Sequence, residues 1–360
     1  MLGVGIGWRP EIDLTVERLP GVDFVEVIAE NLRPRRLPAS LRLLRERGVT
    51  VIPHGVGLGL GGAEPPDRRR LAHLAECARA LGAPLVSEHV AMVRAGRVEA
   101  GHLLPVPRTR DSLDVLVDNV RLAQAALPVP LALENVAALF GWPGDELTDG
   151  EFLTALVERT GVRLLVDVAN LHTNGVNQGV DPLATLARLP LDALAYVHVA
   201  GGYSRDGIWH DTHTRAPSEE IYRLLGRLRA LARPPGVLLE WDGDYPADRV
   251  LNDALARIRG IVGARPTNDT PATGTPTADP PTTGTSAAAT PATGSPPSGW
   301  WPVRIRGDVR HGPARARLAQ RYAPLVDALV RGAPAPAGFD PERIRLQAER
   351  LAVRRRRHTH

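Results

Sequence analysis

Eight short, nearly unbroken apolar runs recur between residues 3 and 240, and helical patterns lie between most of them. The runs are Gly3–Gly7, Asp23–Ala29, Val49–Pro53, Pro84–Ser87, Pro130–Leu133, Val162–Val166, Leu194–Val199 and Gly236–Glu240. Continuous apolar runs of this length are what parallel strands buried on both faces require. Between two of them, Leu71, Leu74, Ala75, Ala78 and Leu81 repeat with helical spacing behind Pro65 and Pro66. Eight strand–helix units in about 260 residues predict a (β/α)8 TIM barrel, an α/β fold. An open doubly wound sheet is the alternative, but no usable Gly-x-Gly-x-x-Gly follows the first run. The glycine-rich stretch Gly55–Gly62 lacks the Gly-Lys-Ser/Thr of a phosphate loop and reads as a flexible loop at the barrel mouth.

The ends of these runs carry the chemistry. His54, His89, Glu134, Asp167, His198 and Glu240 each close a run, and Asp211 and His213 follow His198 in a loop. A barrel gathers its strand ends into one cup, so residues far apart in sequence converge there. A single strand-end imidazole is usually a hydrogen-bonded core residue, and a single carboxylate is often a helix cap. Recurrence on six strands is harder to explain that way, because buried carboxylates are costly unless paired or metal-bound. A mixture of imidazoles and carboxylates suits more than one borderline or hard metal ion. Side chains alternate along a strand, so Glu88 and His89 cannot both point inward. His89 is the expected ligand, with Glu88 orienting an imidazole through its other nitrogen. The Asp211-Thr-His213 spacing in an extended loop puts both side chains on one side. His210 is expected to face solvent. His73 on a helix and His102 in a loop are expected to be structural or exposed. Cys77, the only cysteine, sits among helical alanines as an inert buried thiol, and Gly-x-Ser-x-Gly is absent.

Composition divides the chain into three zones. Residues 1–262 hold the barrel pattern. Residues 263–300 are a Pro/Thr/Ala/Gly tract that cannot bury enough apolar surface to fold, so a disordered linker spanning ~35 Å is expected. Residues 301–360 carry 14 Arg against 5 acidic residues and predict a small basic helical tail, with helices near 313–331 and 340–356. Residues 1–300 carry 30 Arg against 35 acidic residues. That acidic balance in the barrel zone argues against a nucleic-acid partner. No apolar run is long enough to span a membrane, no signal peptide is evident, and the lone cysteine fits a reducing cytoplasm.

Several stretches together resemble one family. His54-Gly-Val-Gly-Leu, Ser87-Glu-His, Leu133-Glu-Asn, Leu165-Val-Asp-Val-Ala-Asn-Leu, Gly175-Val-Asn, Val197-His-Val-Ala-Gly, Asp211-Thr-His and Leu239-Glu-Trp-Asp are similar to the multinuclear non-haem iron-dependent oxidases, the family of the methanobactin-biosynthesis oxidase. The resemblance runs in order over about residues 3–262. It implies a TIM barrel holding two or three iron ions in mixed Fe2+/Fe3+ valence, with O2 as co-substrate. It also implies a ribosomally made precursor peptide as substrate, most often modified at cysteine, and a partner protein that binds the leader peptide. Carried over by motif, His54, His89 and Glu134 would hold one iron. Glu134, Asp167, His198 and Glu240 would hold a second, and Asn170, Asp211 and His213 a third. Glu88, Glu30, Asn135, His172 and Asn177 stand as residues that would support the ligands or touch substrate. The chain departs from the family pattern at Ala169, His172, Gly202 and Gln178, all near the third group and the mouth. The tail lies outside the resemblance, as either a fused partner-like module or a dispensable extension.

Two rival readings fit the same residues. A zinc-dependent TIM-barrel hydrolase or isomerase of the endonuclease IV or xylose isomerase type would use the metal to activate water. A non-catalytic peptide-binding scaffold would keep its function when His54 or Glu134 is lost.

Overall fold

In the computed structural model, which describes residues 1–263 and 312–357, eight parallel strands close into a barrel. The strands in chain order are β1 (Gly3–Trp8), β2 (Phe24–Ile28), β3 (Thr50–His54), β4 (Val86–His89), β5 (Ala91–Ala95), β6 (Val98–Pro105), β7 (Leu131–Glu134), β8 (Arg163–Asp167), β9 (Leu194–Val199), β10 (Tyr203–Arg205), β11 (Ile208–His210) and β12 (Gly236–Leu239). The barrel order is β1-β12-β9-β8-β7-β4-β3-β2, while β5–β6 and β10–β11 are separate antiparallel hairpins. Every one of the eight expected runs is a barrel strand. The hairpins were not expected. One turns at Asp206-Gly207, both with positive φ (53° and 72°), as a two-residue turn matched to strand twist requires.

The barrel interior is layered. Phe24, Ile52, Ala132, Leu165, Tyr196 and Leu238 form a closed apolar cluster of their own. Two positions further along the same strands stand Glu26, His54, Glu134, Asp167, His198 and Glu240, all buried. The period of two along a strand puts both sets on the inner face, one layer above the other. β1 adds no side chain there. A Cβ on Gly5 would fall 2.5 Å from the Phe24 carbonyl oxygen and 2.7 Å from its ring, and one on Gly7 would fall 3.1 Å from the Arg9 guanidinium.

Helices cover the outside. In Arg68–Leu81, Leu71, Leu74, Ala75, Ala78 and Leu81 are all buried, as the spacing predicts. Asp67 starts this helix by accepting from the backbone N–H groups of Arg69 and Arg70. Each large apolar side chain so buried contributes roughly 1.5–3 kcal/mol. Among the described residues, no helix is long and apolar enough to cross a membrane.

Some expectations need correction. His102 lies within β6, not in a loop. The Gly55–Gly62 stretch is not an open loop, since Leu58 to Gly62 are buried. Its carbonyls are claimed by side chains: Asn119 donates to Leu60 and Gly62, and Tyr322 donates to Gly61 at 2.7 Å. Backbone groups this deep must find partners, and a rigid loop results.

Two helices, Gly312–Arg331 and Pro341–Arg357, form the tail. Leu318, Tyr322, Leu325, Val326, Leu329, Ile344 and Leu351 are buried. Phe339 packs edge-on against Phe140 and Trp142, at centroid distances of 5.4 and 5.0 Å. Described arginines of the tail meet the barrel: Arg315 donates to the Ala63 carbonyl and Asn119, and Arg317 pairs with Asp111. The expected linker, apart from Gly263, lies outside the described residues, as does the start of the tail.

Candidate metal centre

Parallel register levels the strand ends. His89 stands opposite Glu134, Asp167 opposite His198, and His54 opposite Ser87. Glu240 follows β12 directly, held by its N–H to the Val199 carbonyl at 2.9 Å. Three groups of donor atoms result, each within 4.8 Å: His54, His89 and Glu134; Glu134, Asp167, His198 and Glu240; His213, Glu240 and Asp242. Glu134 links the first two. Its Oε2 lies 3.5 Å from His54 Nε2 and 3.3 Å from His89 Nε2, while its Oε1 lies 3.4 Å from His198 Nδ1. Glu240 links the last two, with Oε2 3.3 Å from His198 Nδ1 and 3.2 Å from His213 Nδ1.

Each inner imidazole is tied down by its far nitrogen. His89 Nδ1 faces the Gly55 carbonyl at 3.1 Å, and a carbonyl only accepts, so the proton sits on Nδ1. Glu88 adds a second contact to that nitrogen at 3.3 Å while also accepting from the Leu58 N–H. His198 Nε2 donates to Glu26 at 2.9 Å. His54 Nδ1 donates to Ser87 Oγ at 2.8 Å; Ser87 meets Tyr196 Oη at 2.7 Å, which reaches Glu26 at 2.5 Å. One proton order satisfies the whole chain: His54 to Ser87, Ser87 to Tyr196, Tyr196 to Glu26. With the far nitrogens so engaged, it is the near nitrogens that would bind a metal, each after giving up any proton it carries.

Electrostatics point the same way. Burial and the charge of Glu134 push the Asp167 carboxyl well above its usual range. Burial opposes charging His89, yet Glu134 and Glu88 outweigh it and raise it to about 9. His198 and His213 are likewise pushed up, against burial, by the carboxylates around them. Burial would raise Glu26, but His198 and His54 hold it at about 2. Excess negative charge is thus compensated by protons, as expected where a cation belongs. Glu134 Oε2, Asp167 Oδ2, His198 Nδ1 and Asp211 Oδ1 are buried and hydrogen-bond to no protein group. A cation among them would satisfy atoms otherwise costly to bury, so the residues fit a metal cluster.

Among the His, Cys, Asp and Glu donors, the third group joins His213 to Glu240 and Asp242. The Asn170 amide donates to the Asn135 carbonyl at 2.8 Å and lies 3.4 Å from Glu134 Oε1. Asp211 Oδ2 lies 3.2 Å from His213 Nε2. The loop is not extended at His213, whose φ is 53°.

The supporting candidates divide by what they touch. Asn135 bonds both the N–H and C=O of Asp167, locking β7 to β8. Asn177 does the same for Trp209 in β11. Glu30 accepts from the Val56 N–H at the mouth. His172 stands edge-on to Trp209 at 4.5 Å, with Nε2 buried and unbonded. His210 does not simply face solvent: it stacks on Tyr203 and binds Arg350. His73 bonds the Ala29 carbonyl, and burial pushes the Cys77 thiol up to about 12, so it is inert.

Sequence reasoning passed over Glu26, Asp242 and Arg9. Glu26 sits inside an apolar run, in phase with Phe24 below it, and that phase was the available signal. Asp242 lies two positions past Glu240, on the same face by the period of two. Arg9 is buried and donates to Asp242 at 2.7 and 2.9 Å and to Glu240 at 3.4 Å. No local pattern marks it.

The fold and this cluster define a TIM-barrel protein with a buried, metal-capable site at the C-terminal ends of its strands, where enzymes of this architecture keep their chemistry. Residues 3–263 match the model of the RiPP precursor modification enzyme MbnB/TglH/ChrH family, RiPPs being ribosomally made, later modified peptides. The chain belongs to that enzyme family. Residues 319–360 match a second model, described as SCO6045-like, C-terminal domain. A UPF0276 protein of Streptomyces avermitilis is 53% identical over 98% of this chain and 78% of its own length. Another, from Chromobacterium violaceum, is 38% identical over 72% of this chain and 94% of its own length. Among solved structures, Clostridium cellulolyticum D-psicose 3-epimerase aligns with a TM-score of 0.49 at 14% identity, over 72% of this chain and 99% of that one. Endonuclease IV from Thermus thermophilus aligns with a TM-score of 0.48 at 21% identity, over 72% and 99%. Likeness at that level says nothing about chemistry.

Proposed function

We propose that this chain is an iron- and O2-dependent oxidase that modifies a ribosomally made precursor peptide at a cysteine. The observation that carries this is the set of imidazole nitrogens and carboxylate oxygens that converge at the strand ends, with Glu134 Oε2, Asp167 Oδ2 and His198 Nδ1 buried and bonded to no protein group, in a chain of the precursor-modifying family. His54, His89 and Glu134 would hold one ion. Glu134, Asp167, His198 and Glu240 would hold a second, and His213, with Glu240, Asp242 and Asp211, a third. Bound iron supplies a soft enough site for a thiolate and the one-electron chemistry that O2 needs.

The protein's own residues do the rest. Glu134 directs one oxygen to each of two ligand groups and so fixes their separation. Ser87, Tyr196, Glu26, Glu88 and the Gly55 carbonyl engage the nitrogen of each inner histidine that points away from the cluster, and so fix how each ring faces. The apolar layer below closes the barrel floor and excludes water from that side. Val90, Val136, Phe140, Trp142 and Leu171 line an apolar recess beside Asn135, suited to a side chain flanking the modified residue. The tail would serve as a fused peptide-handling module.

The test is metal content of freshly purified chain by elemental analysis, with Mössbauer spectroscopy, followed by incubation with precursor peptides encoded nearby and O2. Two or three irons per chain, partly mixed-valent, and a change in peptide mass support the reading. Stoichiometric zinc without iron, in protein made with both metals available, moves the reading to a hydrolase or isomerase.

A further inference from the structure

The segment Trp209–His213 enters the cluster from outside the barrel, and the tail grips it. Arg350 donates to His210 Nδ1 at 2.8 Å, one residue before Asp211. Arg343, seven positions earlier and so on the same helix face, donates to the carbonyls of Leu139, at 2.8 Å, and Asn177. Asn177 in turn bonds both backbone groups of Trp209, at 2.9 and 3.1 Å. Two arginines of the last helix thus reach the same arm, one directly and one through Asn177.

The arm has reason to need a hold. His213 sits at φ 53°, a left-handed conformation that a non-glycine residue keeps only when its surroundings impose it. On its far side the His213 carbonyl accepts from the Asp242 N–H at 2.7 Å. On its near side the close approach of β11 is fixed by Gly202, where a Cβ would lie 2.3 Å from the His210 carbonyl oxygen. Within the described residues, the near-side restraint that comes from outside the barrel is the tail.

We infer that the C-terminal helix is a brace for the Asp211–His213 arm, with Arg350 and Arg343 as positioning residues for the outermost ligand group. The barrel alone carries the two inner groups, and the docked tail sets the third. Its metal consequence rests on the reading above, whereas its effect on the arm does not.

The experiment uses the full chain, metal-free and then titrated with Fe2+ under anaerobic conditions. Arg350→Met is compared with Arg317→Met, which breaks a tail–barrel ion pair made by the other tail helix to Asp111 and not to the arm. In the metal-free chains, hydrogen exchange across 206–214 should accelerate in Arg350→Met and stay unchanged in Arg317→Met. In the titration, Arg350→Met should weaken the loosest site about 10–100-fold, the cost usual for losing an orienting contact, and leave the tighter sites alone. Arg350→Lys, which keeps a donor, should recover part of that loss. If Arg350→Met does not fold, His210→Phe keeps the stacking on Tyr203, removes the acceptor and should give the same pattern. Unchanged exchange and unchanged titration in Arg350→Met overturn the brace, as do equal effects of Arg350→Met and Arg317→Met. An unaltered chain that binds no iron overturns the metal reading, and the exchange comparison still decides the brace.

Discussion

The two layers inside the barrel use the same strands, the same face and positions only two residues apart, yet their chemistry is opposite. Phe24, Ile52, Ala132, Leu165, Tyr196 and Leu238 form a dry floor. Glu26, His54, Glu134, Asp167, His198 and Glu240 stand directly above, as fully buried, and are ionisable. The floor needs only volume and apolarity, and it stabilises by area removed from water. The upper layer gains nothing from burial and persists because each group is bonded, charged against a neighbour, or placed for a cation. Tyr196 joins them: its ring lies in the floor, 5.9 Å from Phe24, and its hydroxyl reaches up to Glu26.

The comparison predicts a separation of effects. Glu134→Gln should abolish loading of both inner sites and all peptide modification while the chain still folds; metal content and circular dichroism check this together, and a fully loaded variant breaks the assignment. Leu238→Ala, one layer down, should do the reverse. It should cost about 2–5 kcal/mol in denaturant unfolding and leave metal content per folded chain unchanged. A loss of metal without a loss of stability would erase the distinction between the layers. Glu26→Gln should fall between the two, because Glu26 anchors His198 directly and His54 through two hydroxyls. A 10–100-fold drop in metal affinity is expected, about 1.4–2.7 kcal/mol, measured by chelator competition.

The smallest effect concerns pH. His89, raised from 6.5 to about 9, stabilises the metal-free fold while charged, and that contribution is lost as pH climbs from about 6.5 through 9. The upward shifts of His198 and His213 act in the same direction. A bound cation replaces those protons. Metal should therefore raise the melting temperature more at pH 8.5 than at pH 6.5, and the opposite trend in calorimetry would contradict the charge balance described.

Much of this was legible in the sequence because both layers obey one rule, alternation along a strand. Eight apolar runs announced the eight barrel strands, and six of those runs closed on a His or a carboxylate. What escaped had no local signature or a misleading one. Glu26 looked like an interruption of a strand, and Glu30, four residues on and at the mouth, drew attention instead. Arg9 acquires its role only when β1 and β12 meet, since its partners Glu240 and Asp242 are more than 200 residues away. The packed state of Gly55–Gly62 depends on Asn119 and Tyr322, from distant helices, which no window over the loop could reveal.

The hydrogen bonds from His54 through Ser87 and Tyr196 to Glu26, joined there by His198, have a consequence for anyone who would move this site to another scaffold. The transferable unit is not a ring of ligands. It is a wire laid crosswise over β2, β3, β4 and β9, with a single carboxylate terminus. A barrel given only the imidazoles and carboxylates would hold side chains free to turn either nitrogen inward. A graft that also carries the serine, the tyrosine and the buried glutamate would inherit the direction in which each ring must face.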